Sequence, residues 1–156
     1  MTPAIELAKA LDLDYQVHEF THDSSAQSFG LEAAKKLGLP AAQVFKTLIV
    51  ETDTGALAMA ILPVDTTLNL KKMAKALHCK KTKMADPKQV QRSTGYVLGG
   101  VSPLGQKKRL TTVMDSGAQS QTTIYVSGGR RGLDLELPPM QLATTLDASF
   151  ADIADN

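Results

Sequence analysis

Lys46 has the setting most suggestive of chemistry in this 156-residue chain. In a strand its face is shared by Val44 and Leu48, both apolar, while Phe45, Thr47 and Ile49 point the other way. An ammonium among apolar neighbours is costly to bury alone, so Lys46 is paired, snorkels to water, or faces a pocket and acts there. An edge-strand lysine that discourages aggregation is the plainer alternative. A second candidate is Gly99-Gly100-Val101-Ser102-Pro103, where residues without a Cβ let backbone N–H groups approach a ligand and hold an oxyanion or a phosphate. A bare Gly-Gly turn is also an ordinary tight connection. A further pair, Gly128-Gly129, has Arg130 and Arg131 behind it and is bracketed by Ser127 and Asp134. Ser127 or Asp134 could contact a ligand, but a hairpin turn explains them nearly as well.

Several familiar chemistries lack their residues. The chain has no Gly-x-Ser-x-Gly elbow, no His-Glu-x-x-His, no Cys-x-x-Cys and no Walker lysine, which argues against serine-hydrolase and metal mechanisms. His78-Cys79 are adjacent at a helix end and point in different directions, a poor arrangement for a Cys/His nucleophile. His18 and His22, with Asp23, do not complete a zinc site and read as polar surface. No cofactor and no metal are indicated.

The elements that must position these residues follow from caps and periodicity. Thr2-Pro3 opens a short amphipathic helix, 15–20 reads as a strand, and Ser28 caps a helix that stops at Gly38. The runs 44–50 and 57–62 are β-rich and flank a turn, Thr52-Asp53-Thr54-Gly55. Asn69 caps a helix with Leu70, Met73 and Leu77 inward. Asp86-Pro87, with Gln89, opens another helix by a capping box that Gly95 can end. Strands are expected near 110–115, 122–127 and 133–137, in the last of which Leu133, Leu135 and Leu137 alternate with Asp134 and Glu136. Pro138-Pro139 begins a closing helix, and 148–156 is expected to be a surface tail.

At 43% hydrophobic and 21% charged residues the composition is globular, and the length suits a single domain over 1–156. The lone Cys79 cannot form an internal disulfide, and the N-terminus lacks the pattern of a signal peptide, so a cytoplasmic location is expected. The longest apolar run, 56–64, is too short to suggest a membrane span. The net charge of +1 hides a segregation, because eleven basic residues between Lys71 and Arg109 face one acid, Asp86. That stretch carries +10 and the rest of the chain −9. Such a pattern favours a polyanionic partner, an ordinary solvated face being the alternative.

Five stretches together resemble one family: Val44-Phe45-Lys46-Thr47-Leu48, Met84-Ala85-Asp86-Pro87, Gln91-Arg92-Ser93-Thr94-Gly95-Tyr96, Gly99 to Lys108, and Ile124-Tyr125-Val126-Ser127-Gly128-Gly129. They resemble, in matching order, the YbaK-type Cys-tRNA(Pro) deacylases, and the resemblance runs from the first helix to about Ile153. It implies a mixed α/β fold in which a curved, partly barrel-like mixed sheet is surrounded by helices, similar to the editing domain of bacterial prolyl-tRNA synthetases.

It also implies that Lys46 is the site lysine and that Gly99 to Pro103, including Ser102, frames the aminoacyl end of the tRNA. Backbone N–H groups near Gly100 and Val101 would stabilise the oxyanion. Phe29, Ser127 and Asp134 match pocket positions beside Thr47, while Phe20 stands where close relatives are expected to have a tyrosine. In the family the cysteine substrate is thought to supply its own thiol as nucleophile. Lys71, Lys72, Lys75, Lys80, Lys81, Lys83, Lys107, Lys108 and Arg109 would then contact the tRNA backbone. The implied partners are cysteine-charged tRNA(Pro) and prolyl-tRNA synthetase. Two rivals stand beside this reading, a non-catalytic tRNA- or synthetase-binding module and a deacylase for another small amino acid.

Overall fold

The computed structural model describes residues 1–23 and 28–155. Helix α1 (Pro3–Ala10) starts where the Thr2 hydroxyl accepts the Ile5 N–H, and it buries Ala4 and Ala8. Strand β1 (Gln16–Glu19) leads to α2 (Phe29–Leu37), capped by Ser28 and ended by Gly38 at φ 67°. β2 (Phe45–Thr52) and β3 (Leu57–Pro63) form the expected hairpin. Next come β4 (Thr67–Leu68), α3 (Leu70–Ala76), β5 (Thr82–Met84) and α4 (Pro87–Thr94), the last with its full capping box. The chain continues through β6 (Thr111–Asp115), β7 (Ile124–Arg130), β8 (Leu133–Leu137), α5 (Pro139–Leu146), β9 (Ser149–Ala151) and β10 (Ala154–Asp155).

These strands make a mixed five-stranded sheet in the order β5-β2-β3-β6-β9, a three-stranded sheet β1-β8-β7, and the pair β10-β4. The mixed α/β class is as expected, but the partial barrel is not confirmed. Three separate sheets are paired, and a parallel bridge between Val44 and Tyr125 links the two larger ones. The hairpin alternates as strand sterics require: Phe45 and Ile49 enter the main core with Met59 and Ile61, while Val50 packs with Ala58, Ala60 and Leu62 against Met73. In β8, Leu133, Leu135 and Leu137 are buried in the manner their spacing predicts. No described helix is long and apolar enough to cross a membrane.

Two expectations are corrected. Leu70 does not face inward but stands exposed at the start of α3, whose buried face is Met73 and Ala74. The stretch 148–155 is no surface tail, because β9 adds parallel to β6 and β10 pairs with β4. Between them the Ile153 side chain is fully buried and its N–H donates to the Asp115 carboxylate at 3.1 Å.

Candidate functional site

A cavity of about 370 Å³ opens where β2, the start of α2, the 97–101 turn and the β7–β8 hairpin meet. Lys46 enters it from β2. Its ammonium donates to the Thr66 carbonyl, and no carboxylate among the described residues pairs with it. Burial lowers its pKa, partly offset by the field of Asp65. The next side chain, Thr47, also lines the cavity, with a buried Oγ1 that has no hydrogen-bond partner among the described residues.

The glycine loop divides between two tasks. Gly99 has φ 90°, and a Cβ there would stand 2.8 Å from the Phe29 ring. Gly99 and Val101 line the cavity. Gly100 does not, and its N–H, expected as an oxyanion donor, is committed to the Val97 carbonyl at 3.0 Å. A Cβ at Gly100 would lie 2.9 Å from the Arg130 Cα, so this glycine lets the turn pack on β7. Ser102 is fully buried, its Oγ accepting from the Leu104 N–H at 3.3 Å. Pro103 lines a different cavity, of about 540 Å³, beside α1.

The hairpin supplies the opposite wall. Ser127 and Asp134 are cross-strand partners on its polar face, and both line the cavity. The Ser127 Oγ accepts from the Gly129 N–H at 3.1 Å. Asp134 is 7% exposed, and burial pushes its carboxyl up to about 7. Phe20 and Phe29 complete the apolar lining. The structure thus brings Phe20, Phe29, Lys46, Thr47, Gly99, Val101, Ser127 and Asp134 to one cavity and leaves Gly100, Ser102 and Pro103 outside its wall.

Sequence reasoning passed over three of the wall's charged residues. In the sequence Arg130 and Arg131 stand out only as followers of a glycine pair, yet both line the cavity. The Arg131 guanidinium lies 3.9 Å from the centre of the Phe29 ring. Glu32, buried in the first turn of α2, accepts from His22 Nδ1 at 3.0 Å and from the Asp23 N–H at 2.8 Å, and the His22 hydrogen bond lowers its pKa. Nor are the two histidines simple surface. His22 is fastened to Glu32, and His18 to Glu136 at 2.9 Å with its ring tilted against Tyr125.

The basic residues from Lys71 to Arg109 lie outside the Lys46 cavity. Lys71, Lys75, Lys80, Lys81, Lys83, Lys107, Lys108 and Arg109 are exposed, whereas Lys72 pairs with Asp152 at 3.0 Å. Lys108 and Arg109 line the second cavity beside α1.

Residues 25–145 match the family model of the aminoacyl-tRNA editing domain. Over 155 residues the chain is 34% identical to a protein of Enterococcus faecalis provisionally named Cys-tRNA(Pro)/Cys-tRNA(Cys) deacylase EbsC, covering 97% of this chain and 92% of the other. A proline–tRNA ligase of Acidithiobacillus ferrooxidans is 39% identical over 72 residues, 46% of this chain but 12% of the ligase. Among solved structures, a hypothetical protein superposes with a TM-score of 0.87 at 28% identity, covering 98% of this chain and 99% of that one.

Proposed function

The chain belongs to the aminoacyl-tRNA editing domain family, and we propose that it acts as one free-standing domain that strips cysteine from tRNA(Pro), and also from tRNA(Cys). The observation that carries the reading is the cavity in which Lys46, the Gly99–Val101 turn and the Ser127–Asp134 wall converge. Its volume falls within the roughly 300–1,000 Å³ usual for small-molecule sites. The likeness to the Enterococcus protein over nearly the whole of both chains supports cysteine as the amino acid.

In this reading the thiol of the bound cysteine attacks its own ester carbonyl. A carbon–sulfur bond forms, the bond from carbonyl carbon to ribose oxygen breaks, and the thiol proton ends on the leaving ribose hydroxyl. The protein holds the ester in reacting geometry and stabilises the negative charge that grows on the carbonyl oxygen. The Val101 N–H is the donor for that oxygen, since the Gly100 N–H is occupied. Lys46, held among apolar groups with the Thr66 carbonyl as its hydrogen-bond partner, supplies positive charge toward the thiolate and the ester. Phe20, Phe29 and Thr47 shape the pocket around the side chain, no metal or cofactor takes part, and prolyl-tRNA synthetase supplies the choice of tRNA.

The test is release of cysteine from preformed Cys-tRNA(Pro), with Lys46→Ala and Ala-tRNA(Pro) as controls. Rapid, Lys46-dependent loss of cysteine but not alanine is the expected result. Equal loss of alanine would make the site a general deacylase for small amino acids. No deacylation of either ester, with tRNA binding intact, would leave a non-catalytic tRNA-binding module.

A further inference from the structure

The Arg131 guanidinium carbon lies 3.9 Å from the centre of the Phe29 ring, at the wall of the Lys46 cavity. Among the described residues its buried Nε has no hydrogen-bond partner, and Arg131 forms no ion pair with a described carboxylate. The neighbouring acids are otherwise engaged. Glu19 pairs with Arg130 at 3.5 Å, and Glu32 is taken by His22 and the Asp23 N–H. Asp134 shares the wall and forms no ion pair with a described cation. A guanidinium with a buried Nε and no anion among the described residues leaves directional donors unused, and a planar fork placed over an aromatic ring is suited to the oxygens of a phosphate.

The stack is also built into the cavity mouth. Phe29 touches Gly99, where a Cβ would collide with its ring, so the glycine turn, the start of α2 and the β7–β8 hairpin meet on one side chain. We propose that Arg131 is an anion-binding residue of the cavity mouth and that its ligand is the phosphodiester of the nucleotide bearing the scissile ester. The identity of the anion rests on the deacylase reading, while the existence of the site rests on the geometry of Arg131. Arg131 then anchors the substrate chain, and Lys46 is left free to act at the ester.

Binding of uncharged CCA trinucleotide, adenosine and inorganic phosphate, measured by calorimetry with the wild-type protein, Arg131→Met and Arg131→Lys, tests this without any cleavage step. Methionine keeps an apolar stem over Phe29 and lysine keeps the charge. The expected result is trinucleotide affinity lowered roughly 10- to 100-fold in Arg131→Met, in line with loss of charge-assisted hydrogen bonds, partial recovery in Arg131→Lys, and adenosine binding unchanged. Equal weakening of adenosine and trinucleotide would show that Arg131 only props Phe29, and unaltered binding of both would show that it holds no anion. Inorganic phosphate binding as tightly as the trinucleotide would overturn the nucleic-acid assignment, as would no trinucleotide binding by the wild type. Arg131-dependent trinucleotide binding without cleavage of the cysteinyl ester would sink the deacylase reading and leave the anion site standing.

Discussion

Lys46 and Asp134 face the same cavity, and burial drives both toward neutrality, the lysine downward and the aspartate up to about 7. For Asp134 this has a measurable cost. Between the ordinary carboxylate range and about 7 the folded protein holds a proton that the unfolded chain has released, so stability falls as pH rises through that window. Asp134→Asn removes the titration. Relative to that variant, the wild type should lose roughly 1.4 kcal/mol per pH unit across the window, and urea unfolding at about pH 5 and about pH 8 reads the difference. A constant gap between the two proteins would show that the carboxyl titrates normally. Lys46→Met keeps the stem and drops a charge that burial disfavours, so stability should hold or rise slightly. In the proposed reaction the same change should lower kcat/KM on Cys-tRNA(Pro) by about 10²–10³-fold, the usual loss when a group that stabilises developing charge is removed. Loss of activity with unchanged unfolding separates a reacting group from a structural one.

Helix boundaries were largely legible in the sequence because they are set by local chemistry. Thr2, Ser28, Asn69 and Asp86 cap the helices they precede, and Gly38 and Gly95 end theirs in the left-handed region. Lys46 stood out because a strand's two-residue period exposes one polar residue on an apolar face. The C-terminal strands were not legible, since two or three residues carry no period and owe their pairing to β4 and β6. The roles of Arg131 and Glu32 depend on which loops meet, and the commitment of the Gly100 N–H depends on a hydrogen bond that a Gly-Gly pair does not specify. Two predictions belong to these elements. Ile153→Ala should cost about 2–5 kcal/mol in denaturant unfolding, the range for a buried large-to-small change, whereas a loose tail would show almost nothing. Gly105 has φ 72°, and a Cβ there would lie 2.6 Å from the Pro3 carbonyl, so Gly105→Ala should destabilise by roughly 2 kcal/mol by parting the loop from α1.

Across the whole molecule, charge and cavity are kept apart. Acids are spread through the rest of the chain, while the +10 stretch presents its lysines on elements outside the Lys46 cavity. Lys80, Lys81 and Lys83 show how the fold displays them. The Lys80 and Lys81 N–H groups donate to the Asp53 carboxylate at 3.0 and 3.4 Å, which fastens the turn before β5 to the β2–β3 hairpin. Lys83 follows on β5, at the edge of the five-stranded sheet, with its side chain exposed. Three cations held on one edge suit a phosphate backbone better than a compact substrate, and their contribution should appear as counterion release. In Lys80→Glu/Lys81→Glu/Lys83→Glu, the plot of log affinity for tRNA against log salt should become shallower by roughly 2–3 in slope, close to 0.9 for each duplex phosphate that the protein no longer neutralises. Cleavage of cysteinyl-adenosine, which carries no backbone, should stay unchanged in the same variant. An unaltered salt slope would show that this edge is an ordinary solvated face, and slower cleavage of the small ester would show that the lysines act on the cavity itself, so the two measurements together locate where the polyanion lies on the protein.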